Sequence, residues 1–254
     1  MLSNIIKFIV VLIFFSNITY AKQNKPELLF YCGITMVKPM EEISKIIEKR
    51  ENCIIRIIQG GSKDLYDSLK LAKKGDMYLP GSDAYIKKNK KDGYFEKSVY
   101  IGYNKAAIFV QKGNPKNIQN LDSLLDEDIA TILCNPDSGS IGKNTKKVLT
   151  KYKGKEFFDD AFDATVEVGT DSRNINQALK EKRVDMAINW RTSGFWKENK
   201  KYIDVIEIDE KYAPKKKLML TKLTFSKHKK IVDKFMQYAV SKEGIAIMKK
   251  YGFR

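Results

Sequence analysis

From Glu27 onward, short apolar runs alternate with stretches whose apolar residues recur three and four positions apart. LLFYC over 28–32 predicts a buried strand. PMEEISKIIEKR over 39–50 predicts a helix, with Met40, Ile43, Ile46 and Ile47 on one face behind Pro39, a residue suited to a first helical turn. NCIIRIIQ over 52–59 is the next strand, and Gly60-Gly61-Ser62 breaks it before the helix DLYDSLKLAKKG. DMYLPGS and a short helix from Asp83 follow. Strand, helix, strand, helix at this spacing predicts a parallel α/β sheet.

A second set repeats the alternation: strand YNKAAIFVQKGNP over 103–115, a helix around LDSLLDED, strand IATILCNP, helix GKNTKKVLTKY, strand ATVEVG, helix NINQALKEKRV and strand DMAINW. After Tyr202 come DVIEID and KLMLTKLTF, then the helical segments KIVDKFMQYAV and SKEGIAIMKKYGF. The fold class expected is α/β, with two α/β lobes joined by hinge strands, since no linker rich in Gly, Ser or Pro separates the sets. The boundaries read as lobe one over 22–101 plus 203–254 and lobe two over 102–202.

The first 21 residues form a separate pattern: Lys7, an apolar run from Phe8 to Phe15, and a polar tail ending Thr19-Tyr20-Ala21. A membrane anchor needs roughly 20 consecutive apolar residues, and Ser16-Asn17 interrupts this run. The segment predicts a signal peptide cut after Ala21 and an exported, periplasmic protein. Cys32 lies too far along to carry a lipid. The odd cysteine count, with Cys32, Cys53 and Cys134 all in strand-like surroundings, favours small buried hydrophobes over a disulfide framework.

Charge changes the picture less than its size suggests. The formal net charge is +16, carried mostly by lysines spread along the chain as pairs such as Lys73-Lys74 and Lys146-Lys147, which read as solvated helix faces. No nucleic-acid-recognition motif accompanies them, so nucleic acid is not an expected partner. Nor is a cofactor expected, because neither a P-loop nor a GxGxxG opener is present. The lone His228 makes a Ser/His/Asp triad and a metal site both improbable. Asp159-Asp160 read as loop neighbours without acid/base significance, and the chain is not expected to be an enzyme.

Chemistry belongs to the loops after the strands, where helix N-termini present free N–H groups. These loops are Gly33-Ile34-Thr35-Met36, Gly60-Gly61-Ser62-Lys63, the stretch Asn135–Gly142 containing Ser138, Ser140 and Ile141, and Gly169-Thr170-Asp171-Ser172-Arg173-Asn174 before Ile175. Each alone reads first as an ordinary N-cap worth about 1 kcal/mol. Together they offer hydroxyls and N–H groups able to ring a desolvated anion without a buried counter-charge. Trp190-Arg191 closes the strand MAIN, where the indole can wall a cleft or donate one hydrogen bond and the arginine can clamp a carboxylate or phosphate.

The segments YCGITMVKPMEEI, IIQGGSKDL, GDMYLPGSDAYI, KAAIFVQKGNP, CNPDSGSIGKNTKKVL, NINQALKEKRVDMAINW and KFMQYAVSKEGIAIMKKYGF, in this order, resemble the type 2 periplasmic binding proteins of ABC importers, most closely the molybdate binders. The resemblance implies two lobes closing over a tetrahedral oxyanion, molybdate or tungstate, and a membrane permease as partner to a monomer. It carries the ligand contacts to the side chains of Thr35 and Ser62 and to the backbone N–H groups of Ile141 and Ile175, with Ser140 in the same loop as Ile141. Trp190 falls where molybdate binders have a tyrosine, and Arg191 lies outside that pattern. Two other readings remain open: a receptor for a small organic or phosphorylated acid with Arg191 as its clamp, and an adhesin-like protein on the same fold.

Overall fold

The computed structural model describes residues 25–253; the expected signal peptide lies outside them. Strand β1 (Glu27–Gly33) is buried along nearly its whole length, as its unbroken apolar run requires. It pairs in parallel with β2 (Ile54–Gly60) on one side and β3 (Met77–Leu79) on the other. Helix α1 (Val37–Glu51) connects the first two, burying Met40, Ile43 and Ile47, and stops where Asn52 turns left-handed at φ 47°. Helix α2 (Ser62–Ala72) connects β2 to β3, and the short α3 (Ala84–Lys88) follows.

β4 (Phe95–Asn104) is a long strand at the edge of this sheet, and β5 (Ala106–Gln111) carries the chain directly into a second sheet. There β6 (Thr131–Cys134), α4 (Ser140–Lys153), α5 (Lys155–Asp163), β7 (Glu167–Gly169), α6 (Ser172–Lys180) and β8 (Met186–Trp190) follow in turn. α7 (Arg191–Gly194), β9 (Ile203–Glu207), β10 (Lys216–Leu223), α8 (Lys229–Val240) and α9 (Lys242–Lys250) complete the chain. The first sheet runs β2-β1-β3-β10-β4 and the second β7-β6-β8-β5-β9. Each has its own apolar core: Phe30 meets Phe235 edge-on at 5.6 Å in the first, and Phe109, Ile132 and Ile188 are buried in the second. The molecule is therefore a two-lobed α/β protein.

The lobe boundaries differ from those expected. Residues 102–104 belong to β4, where Gly102, Tyr103 and Asn104 pair with Leu218, Lys217 and Lys216 of β10. β9 pairs with β5 of the second sheet, and Ile208 and Ala213 are buried in the second core. The return crossing thus lies between Ala213 and Lys216, after the second lobe has gained its edge strand. Asp159 and Asp160 lie in α5, not in a loop, because Phe157, Phe158 and Ala161 give that helix a buried face. All three cysteines are buried and free.

At the outward crossing the chain turns at Asn104-Lys105, both buried. Asn104 Oδ1 accepts the Lys105 N–H at 3.0 Å, and Lys105 C=O accepts the Arg191 N–H at 2.8 Å. The crossing is thereby fastened to the start of α7.

Candidate functional site

The carboxyl ends of β1, β2 and β3 in lobe one face those of β6, β7 and β8 in lobe two. Between them is a cavity of ≈ 20 Å³ lined by Thr35, Ser62 and Gly81 from the first lobe and Gly139, Ser140, Ile141, Asp171, Ser172 and Trp190 from the second, among others. That volume admits a body somewhat larger than one water, which needs about 10–15 Å³, and is far below the roughly 300 Å³ at which drug-sized pockets begin.

Three hydroxyls at this cavity share one property: each oxygen already accepts a hydrogen bond from the protein. Ser62 Oγ accepts from the Gly81 N–H at 3.0 Å, and Ser140 Oγ accepts from Trp190 Nε1 at 3.3 Å. Thr35 Oγ1 accepts from Asn104 Nδ2 at 3.5 Å and directs its own proton to the Met36 sulfur at 3.0 Å, a weak acceptor. Ser62 and Ser140, so engaged, keep their protons available to donate into the cavity, whereas the Thr35 proton is directed to Met36.

The backbone adds to the bias. Helix α2 makes its first intrahelical bond from Leu65 N–H to Gly61 C=O, so the Ser62 N–H has no acceptor within the helix. In α4 the first such bond runs from Lys143 N–H to Gly139 C=O, which leaves the N–H groups of Ser140 and Ile141 at the cavity. In α6, Asp171 caps the N–H groups of Arg173 and Asn174, and the N–H of Ser172 remains. Three helix N-termini therefore point partial positive charge at one small volume.

Among the described residues, no lysine or arginine lines the cavity, and its one acid, Asp171, accepts the α6 cap bonds and pairs with Arg173 at 3.3 Å. Lys63 pairs with Asp67 along α2, and Lys143 lies 5.6 Å from the Tyr85 ring centroid. Cys134, under the α4 loop, has its thiol pushed up to about 11 by burial, despite a lowering hydrogen bond with Ser138. It therefore stays neutral.

Of the residues read from the sequence, Thr35, Ser62, Ser140, Ile141 and Trp190 are brought together here. Ile175 and Arg191 are not among the lining residues. Ile175 is the fourth residue of α6, so its N–H is already bonded to Asp171 C=O at 3.3 Å and its side chain is fully buried; Ser172, at the true start of the helix, takes its place. Arg191 pairs with Glu207 and stacks over the Phe195 ring at 4.5 Å, outside the cavity. Gly81 went unread, although it too follows a strand, in Pro80-Gly81-Ser82.

Residues 28–254 match the family of bacterial extracellular solute-binding proteins. The chain belongs to that family. A relative from Bacillus subtilis, described as an ABC transporter substrate-binding lipoprotein, is 26% identical, covering 91% of this chain and 87% of its own. The periplasmic molybdate-binding protein of Azotobacter vinelandii has the same fold, with a TM-score of 0.75 at 12% identity over 89% of this chain and 98% of that one. So does PEB3 of Campylobacter jejuni, solved with L-phospholactate, with a TM-score of 0.71 at 18% identity over 89% and 99%. As a solute-binding protein of the ABC-transporter class, the chain has binding proteins rather than enzymes as its relatives. Among the described residues, no helix is long and apolar enough to cross a membrane.

Proposed function

We propose that this solute-binding protein is exported to the periplasm as a monomer and captures a tetrahedral oxyanion, of the molybdate or tungstate class, for delivery to the permease of an ABC importer. The observation that carries the reading is the pair of hydroxyls whose oxygens already accept bonds, from Gly81 to Ser62 and from Trp190 to Ser140. With the free N–H groups of three helix starts they make a small, donor-rich chamber. A dehydrated anion with acceptors on every side is the ligand such a chamber suits, because charge-assisted hydrogen bonds are roughly twice as strong as neutral ones. A buried counter-charge would add a desolvation cost that neutral donors avoid.

The form of the alternative that uses Arg191 as a carboxylate clamp loses support, since that guanidinium is held by Glu207. A thermal-shift panel with molybdate, tungstate, sulfate and phosphate tests the reading. A ligand at 100 times its dissociation constant adds about 2.7 kcal/mol, a shift of roughly 5–11 °C for a chain of this size. A midpoint unmoved by every oxyanion rejects it and favours a surface protein on the same fold.

A further inference from the structure

The two lobes have separate apolar cores and are joined by two crossings of the chain, at Asn104-Lys105 and between Ala213 and Lys216, an arrangement that lets two bodies hinge about their connection. Beside the oxyanion cavity, and sharing Ile34 with it, a groove is lined by Lys38 and Gln59 of lobe one and by Arg173, Trp196 and Glu198 of lobe two. None of these five lines the cavity itself. Lys38 Nζ pairs with Glu198 and lies 5.0 Å from the centroid of the Trp196 ring. Arg173 Nη1 donates to Gln59 Oε1 at 3.4 Å. Each of these contacts passes from one lobe to the other.

Their places in the chain fasten them to the cavity wall. Lys38, in the first turn of α1, follows Thr35 closely; Gln59 and Ser62 flank the turn after β2; and Arg173 directly follows Ser172. Thr35, Ser62 and Ser172 all line the cavity. The approach of the lobes that encloses the cavity is therefore the approach that makes the ion pair. Burial alone would raise the Glu198 carboxyl, but the hydrogen bond from Lys38 holds it below the usual carboxylate range, so the pair is charged at neutral pH.

A contact made only when the lobes are together acts on affinity without touching the ligand, because apparent affinity is the intrinsic affinity scaled by the fraction of protein in the competent state. We propose that Lys38 and Glu198, with the Trp196 ring beneath the ammonium, form a clasp that sets how long the closed protein retains its anion. The inference rests on the oxyanion reading above and adds to it residues that determine affinity from outside the cavity. The side chains of the pair are 34% and 43% accessible, so its share is at most about fivefold in affinity. A clasp of that size slows release without preventing it.

The test is stopped-flow tryptophan fluorescence on the whole chain, using whichever of molybdate, tungstate, sulfate and phosphate binds most tightly by calorimetry. The parent is compared with Lys38→Met, Glu198→Gln and the double variant. Dissociation is expected to quicken about three- to fivefold in each single variant, the scale of a partly exposed ion pair, while association stays within about twofold, since the clasp forms after encounter. The double variant is expected to release no faster than the faster single variant, because losing either partner already breaks the pair. In 1 M sodium chloride, where charges are screened over about 3 Å, the parent is expected to approach the double variant. Unchanged dissociation in both single variants, effects that multiply in the double variant, or a loss confined to association overturns the clasp and leaves the oxyanion reading standing. A parent that binds none of the four anions overturns the oxyanion reading and the clasp with it.

Discussion

The indole N–H of Trp190 donates to Ser140 Oγ at 3.3 Å, so Trp190 acts on the cavity through a serine. Trp190 is 2% exposed and supplies both a wall and the bond that orients the Ser140 hydroxyl. Trp190→Phe keeps most of the wall and removes the donor. Oxyanion affinity is expected to fall by about tenfold, the scale of one net hydrogen bond near 1–1.5 kcal/mol. Parallel titrations of the two proteins check this.

Gly81 of lobe one sits against Ser140 of lobe two. A methyl group there would lie 2.6 Å from Ser140 Oγ and 3.5 Å from Ser62 Oγ, between the two hydroxyls. Gly81→Ala is expected to hold the lobes apart and weaken oxyanion binding by more than about tenfold, with little change in the melting temperature of the ligand-free protein. Affinity and melting temperature measured on one preparation separate this from simple destabilisation.

Arg191 lies outside the cavity. Its ion pair with Glu207 is partly exposed on both sides, with side chains 31% and 49% accessible, and exposed pairs contribute at most about 1 kcal/mol. Arg191→Ala is expected to lower stability by up to that amount and to leave oxyanion affinity unchanged. Urea denaturation and titration give the two readings, and a large loss of affinity would restore the clamp.

Glu207 also gives a pH signature. Burial alone would raise its carboxyl, but hydrogen bonds from Arg191 and Lys105 outweigh that and hold it below the usual carboxylate range. A lowered folded value means that the stabilisation is present above the unfolded value, about 4.3, and is lost as pH falls through the folded one. Glu207→Gln is therefore expected to flatten the acid side of the melting-temperature profile while lowering the midpoint near neutrality. An unchanged slope would show that the pair contributes nothing.

Much of the architecture was legible because the elements bounding the site have strong periods. β1 is apolar on both faces, and α1 repeats Met40, Ile43 and Ile47 on one side. β4 was harder to read, because its first six residues are exposed or half-buried at the sheet edge and include Glu96 and Lys97. The attachment of β9 to lobe two was illegible, since strand order depends on pairing partners distant in sequence, here Ile203 with Gln111. Within the site, searching the loops after strands located Thr35, Ser62 and Ser140. Counting residues from a helix start decides between Ser172 and Ile175, and that start depends on the Asp171 cap.

The central claim is that the donor-rich cavity binds a tetrahedral oxyanion, and calorimetric titration of molybdate into the purified chain and its Ser62→Ala variant tests it most directly. Ser62 is 2% exposed, and its hydroxyl and backbone N–H both stand at the cavity. The account predicts saturable one-to-one binding, weakened by about tenfold or more in the variant, as expected for losing a hydrogen bond to a charged ligand. Absence of saturable heat with molybdate, tungstate, sulfate and phosphate alike, or a Ser62→Ala variant that binds as tightly as the parent, would contradict it.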